Sequence, residues 1–175
     1  MPYKGLIMAI LISPMIVPLI ITAAGMFFFY ARINLVYTFT GVILAHVALA
    51  TPFVVITVTA TLVGFDMNMV KAAQSLGAKP IRTFFKVIMP LILPGIISGA
   101  LFAFITSFDE VVIVMFMASI DQLTIPKQMW AGIRQEISPV ILCMATCLVL
   151  LSIFLLTTVE LLRRRSEKLR GIKAR

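Results

Sequence analysis

Two adjacent carboxylates, Asp109 and Glu110, interrupt a long apolar stretch: 22 uncharged residues precede them and ten more follow, through Ile120. Side by side, two carboxylates can attract a multiply charged cation. At the centre of a bilayer a carboxylate costs roughly 2.5–3.5 kcal/mol and is tolerated chiefly where it faces a water-filled path. The plainer reading is an interfacial helix end. The expectation taken forward is that at least one of Asp109 and Glu110 lines a substrate path. His46 is the single histidine and stands alone in an apolar run; a hydrogen bond between helices is its simplest role, and no proton-relay partner is in view. Cys143 and Cys147 lie four apart, a helical spacing that does not favour a disulfide, and there is no CxxC pair. They read as small packing residues.

Other chemistry is missing from the sequence. It has no GxxxxGK[ST] phosphate loop and no HExxH pair. With one His and few acids, no nucleophile–base or metal-ligating constellation stands out. The chain is expected not to be an enzyme, with no metal and no cofactor.

The elements that must carry these residues are membrane helices. Of the 175 residues 61% are hydrophobic and only 13% charged, where a soluble domain carries about 25% charged residues. About 20 apolar residues cross the hydrocarbon as a helix. Spans are predicted near 6–30, 41–63, 88–110 and 138–162. The fold class is therefore an all-α membrane protein, a bundle of about four transmembrane helices. The first stretch is too long for the apolar region of a signal peptide. Internal prolines (Pro14, Pro18, Pro52 and Pro94) predict kinks, which bundles tolerate when neighbours re-satisfy the freed carbonyls. Gly95, Gly99 and Ala103 form a small-residue face suited to close helix packing.

The net charge of +8 could suggest nucleic acid, but the basic residues cluster at the ends of apolar runs, so no nucleic-acid partner is expected. With four spans, twelve of the fifteen Lys and Arg residues fall on the side holding both termini and the loop 66–87; Arg32, Lys127 and Arg134 fall on the other. Positive residues stay inside, so both termini and the basic tail 163–175 are predicted to be cytoplasmic. The opposite side, with Asp109, Glu110, Asp121 and Glu136, is slightly acidic, a mild hint of a cationic ligand. The outer loop 118–137 is expected to hold a surface helix from Pro126 to Glu136, with Trp130, Ile133 and Ile137 on one face. Membrane anchoring and docking of an extracytoplasmic protein are both open for it.

The loop 66–87 carries the densest local signals. Asp66 can cap a helix starting at Met67, and Gly77 can end it in the left-handed conformation. Met69, Ala73 and Leu76 share a face of that helix. Pro80 suits the first turn of a second helix, in which Lys79, Arg82 and Lys86 line up opposite Ile81, Phe84 and Ile88. Periodicity alone reads as two interfacial helices on anionic lipid.

Lys71-Ala72-Ala73-Gln74-Ser75-Leu76-Gly77, nine residues, then Val87-Ile88-Met89-Pro90 resembles the EAA loop of ABC importer permeases. The Ala pair, the Gly, the Pro and both spacings agree with that pattern, and the location between two spans fits. The leading Glu of the family pattern is Lys71 here, so any ionic contact of that Glu does not carry over. The resemblance implies that Lys71, Ala72, Ala73, Gln74, Ser75, Leu76, Gly77 and Ala78, with Pro90 behind them, form a coupling helix seated in a cleft of an ATPase subunit. His46, Pro52-Phe53 and Leu62 through Asp66 are similar to the preceding span of spermidine/putrescine permeases. Ser107-Phe108-Asp109-Glu110-Val111-Val112 resembles their Ser-x-Asp-Asp-Val-Val stretch, and Thr124-Ile125-Pro126, Trp130 and Ser138-Pro139 continue the likeness.

The resemblance covers nearly the whole chain and matches the last four spans of a six-span permease, so the chain is expected to lack that permease's first two spans, either because Met1 is not the biological start or because the product is truncated. It implies a bacterial inner-membrane, multi-pass permease subunit that works with an ATPase dimer, a second permease subunit and an extracytoplasmic binding protein. Polyamine is the favoured cargo. The alternatives are the same importer class for ferric iron or a phosphonate, a stand-alone secondary transporter or channel, or an inactive truncated fragment.

Overall fold

The fold follows from helices that satisfy their own backbone, the solution a bilayer imposes on an apolar chain. The computed structural model describes residues 3–135 and 138–169. Glu136, Ile137 and the end of the basic tail from Arg170 onward lie outside the described residues. Among those described there is helix and turn but no strand. Helix α1 spans Lys4–Ile16, α2 Leu19–Arg32, α3 Phe39–Val63 and α4 Met67–Ser75. Then come α5 (Pro80–Thr83), a π turn at Phe84–Ile88 and α6 (Met89–Phe108), continuous as one helix over Pro80–Phe108. Helix α7 is Val112–Met117, α8 Ile125–Gln135 and α9 Pro139–Leu169.

Among the described residues three helices are long and apolar enough to cross a membrane: Phe39–Val63, Pro80–Phe108 and Pro139–Thr158. The apolar stretch 6–30 is divided between α1 and α2 by a break at Val17–Pro18, and the two pass that test only as a pair. Pro14, Pro52 and Pro94 are carried inside helices; Pro18 instead has an extended ψ of 132° and caps α2. Large apolar side chains are exposed along the chain, among them Ile10, Phe28, Ile43, Phe102, Leu150 and Phe154. In lipid such exposure carries no penalty, and packing has to come from shape and small residues. The chain is an all-α, multi-pass membrane protein.

Two compact units emerge. The first draws on Met1–Ile16 and Ala48–Thr106. Its centre is the contact of α3 with α6, where Gly95 and Gly99 are buried. A Cβ at Gly95 would meet the Thr61 hydroxyl, and one at Gly99 would lie 2.5 Å from Thr57 Oγ1 and 3.0 Å from Val54 Cα. Both threonines turn their hydroxyls onto their own helix: Thr57 Oγ1 donates to the Phe53 carbonyl at 2.9 Å and Thr61 Oγ1 to the Thr57 carbonyl at 2.9 Å. Phe53 and Phe102 stack beside the seam with centroids 6.2 Å apart. Gly99→Ala is expected to cost about 1–3 kcal/mol, because the Val54 backbone cannot move aside as a side chain can. Thermal unfolding in detergent measures it.

The second unit draws on Val17–Val47 and Ser107–Arg175. Its core is α7, in which Ile113, Val114 and Met117 are fully buried. Helix α2 packs on α7, with Phe27 edge-on to Phe116 at 6.4 Å. The α2–α3 turn is held in an unusual shape, with Asn34 and Tyr37 in the left-handed region at φ 54° and 60°. Tyr37 N–H donates to the Met117 carbonyl at 2.9 Å, which ties the turn to α7. Helix α8 contacts both α7 and α9. It begins one residue before the expected Pro126 and leaves Trp130 and Ile133 exposed.

Candidate functional site

Helix α4 is built by local signals at both ends. Asp66 is its N-cap, and the carboxylate accepts from Asn68 N–H at 2.9 Å. At the other end Gly77 has φ 79°. Gly77 N–H donates to the Gln74 carbonyl at 2.9 Å and Ala78 N–H to the Ala73 carbonyl at 3.0 Å. That pair of bonds is the Schellman motif, which needs a left-handed residue where Gly77 stands. Lys79 is extended and Pro80 opens α5. Helix α4 packs back on α5 and the π turn.

Lys71, Ala72, Gln74, Ser75, Leu76 and Gly77 are exposed, while Ala73, Ala78 and Pro90 are half-buried. Leu76 is 89% exposed and Met67 61%, a high exposure for apolar side chains beside a polar turn. The second helix differs from the simple amphipathic expectation. Thr83 is its buried residue, whereas Ile81 and Phe84 are exposed.

The two acids lie in the gap between α6 and α7, so the helix breaks at them and does not run on. They differ sharply. Asp109 is exposed and Glu110 is buried. Glu110 Oε1 accepts from Ile113 N–H at 2.7 Å, a charge-assisted bond to one of the free donors at the start of α7. Lys127, which the sequence offers only as one more basic residue, reaches the far end of the same helix. Its Nζ donates to the carbonyls of Val114 at 3.2 Å and Ala118 at 3.1 Å. Burial there pushes the Lys127 ammonium below its ordinary pKa.

His46 on α3 and Ser107 on the last turn of α6 are joined by a hydrogen bond of 2.8 Å between Nδ1 and Oγ. This is the inter-helix role expected of the histidine. Its Nε2 is shielded and has no hydrogen-bond partner among the described residues. Nothing in the sequence pairs residues 61 positions apart, so this contact had no local signal. Cys143 and Cys147 are free and exposed on α9.

The chain is similar to the spermidine/putrescine transport system permease protein PotC of Haemophilus influenzae, 29% identical over 164 residues, which cover 94% of this chain and 62% of the relative. PotC of Escherichia coli is 28% identical over 165 residues, covering 94% of this chain and 61% of its own length. The putrescine transport system permease protein PotI of Escherichia coli is 37% identical over 103 residues, 59% of this chain and 37% of PotI. The chain thus spans less than two thirds of the curated relatives it matches. The profile of one family matches residues 2–168. By that match the chain belongs to the binding-protein-dependent transport system inner membrane component family.

Proposed function

We propose that this chain is the membrane-spanning part of a permease subunit in an ATP-driven importer, and that its cargo is a polyamine such as spermidine or putrescine. The likeness to PotC over 94% of the chain supports this most directly. In this reading α3, Pro80–Phe108 and α9 are spans, with α1 and α2 together making a fourth. Both termini and the loop 66–87 face the cytoplasm, as the bias of basic residues favours. Helix α4, with Lys71 through Ala78 at its exposed end, is the coupling helix. ATP is hydrolysed by a separate ATPase dimer. A second permease subunit completes the pathway, and an extracytoplasmic binding protein delivers the cargo. Closure of the ATPases moves α4, and the spans reorient around the substrate.

At the α6–α7 break Asp109 is the acid that offers negative charge to a polyammonium cargo, being exposed where Glu110 is buried. The decisive experiment is ATP-dependent uptake of labelled spermidine and putrescine into proteoliposomes holding the full-length permease with its ATPase and binding protein. Uptake that follows an ion gradient and ignores ATP would overturn the importer reading. Asp109→Asn is expected to raise the half-saturating polyamine concentration about tenfold, equivalent to ~1.4 kcal/mol. Unchanged uptake and substrate preference in Asp109→Asn/Glu110→Gln would remove the acids from the path.

A further inference from the structure

Helix α7 has six residues, of which Ile113, Val114 and Met117 are buried, and a charged side chain from outside the helix meets each of its ends. A helix this short cannot hold itself together, since nucleation is unfavourable and little propagation follows. Its end groups therefore need partners. At the start, the Glu110 carboxylate takes the Ile113 N–H. At the finish, the Lys127 ammonium meets the Val114 and Ala118 carbonyls, and Tyr37 N–H meets that of Met117. The signs follow the helix dipole, anion at the N-terminus and cation at the C-terminus. Glu110 is 6% exposed, and one of its oxygens is already committed to the backbone.

We infer that Glu110 and Lys127 are a matched pair of positioning residues that clamp α7 from its two ends, and that Glu110 does not contact the cargo. The clamp fixes where α6 stops and α7 begins, and so fixes the exposed Asp109 between them. Two neighbouring acids thereby have different work: one holds the break and the other is presented at it. The part concerning Asp109 and cargo rests on the importer reading. The clamp itself does not.

The test uses the full-length permease assembled with its partners and the variants Glu110→Gln, Glu110→Ala, Lys127→Met and Glu110→Ala/Lys127→Met. Glu110→Ala removes a capping acceptor and should lower the melting temperature by about 1–8 °C. Glu110→Gln keeps a carbonyl acceptor of the same reach and should recover at least half of that loss. Lys127→Met should lower it too, and the double variant should fall short of the sum, because both residues act through one helix. In uptake, Glu110→Gln should change the half-saturating polyamine concentration by less than about twofold, against the larger change for Asp109→Asn. The inference is overturned if Gln and Ala at position 110 melt alike, if the two single losses add in full, or if Glu110→Gln raises half-saturation as Asp109→Asn does. Should the wild-type assembly take up no polyamine, the cargo reading fails while the melting series still decides the clamp.

Discussion

Gly77→Val in the assembled transporter is expected to cut ATP-driven uptake by about tenfold or more while ATP hydrolysis continues. Gly77 holds φ 79°, where a β-branched residue is a steric outlier, and left-handed backbone costs an L-residue roughly 1–2 kcal/mol. The Schellman bonds to Gln74 and Ala73 depend on that conformation. Without them the last turn of α4 unwinds, and the angle at which α4 leaves α5 is no longer set. A lever with a slack joint transmits closure poorly, and a loss of about 1.4 kcal/mol in the transmitted step is a tenfold loss of rate. Gly77 is exposed, so the fold itself should survive, and melting should shift little. Gly77→Asn, which tolerates the left-handed region, should retain more uptake than Gly77→Val. Wild-type uptake in Gly77→Val would remove α4 as the coupling element.

Gly41→Ala should do the opposite, failing in the fold before it fails in function. Gly41 is buried in the first turn of α3, and a Cβ there would collide with the Leu35 carbonyl oxygen. That carbonyl cannot retreat freely. It accepts from Thr38 Oγ1 at 2.7 Å, and the same hydroxyl accepts from Gly41 N–H at 3.0 Å. Leu35 N–H is tied to Tyr30 and Tyr37 N–H to Met117. Overpacking against fixed backbone costs about 3 kcal/mol or more, which corresponds to a drop of about 6–12 °C in melting temperature. Melting within 1–2 °C of wild type, on the order of experimental scatter at this size, would show that the turn relaxes and that its left-handed residues are dispensable.

What the sequence made legible was local. The Asp66 cap, the Gly77 turn and the Pro80 start each depend on residues a few positions apart, and all three stand in the structure as the residue types dictate. The apolar lengths of α3, α6 and α9 were equally plain. The prolines were not. Pro14, Pro18, Pro52 and Pro94 all predict kinks, yet Pro18 stands at a break between helices while the other three are carried inside them, where neighbouring groups can satisfy the freed carbonyls. Tyr37 in the left-handed region has no signature in its residue type; its backbone is held by a carbonyl 80 positions away. Asp109 and Glu110 looked alike because either could face the lumen of a path. Only the position of α7 decides that Glu110 turns inward. The same holds for Lys127, whose partners are thirteen and nine residues upstream across a turn.

The π turn at Phe84–Ile88 has a consequence for insertion and deletion. One extra residue in a helix rotates everything beyond it by about 100° around the axis. With it, the exit of α4 takes a different azimuth from the one an unbroken α-helix into α6 would give. Removing a single residue between Phe84 and Ile88 would straighten the hydrogen-bond ladder and improve local helix geometry. It would also swing α4 about a quarter of a turn away from its present heading, so that under the proposed coupling role a shorter and better-formed helix would be the worse connecting rod.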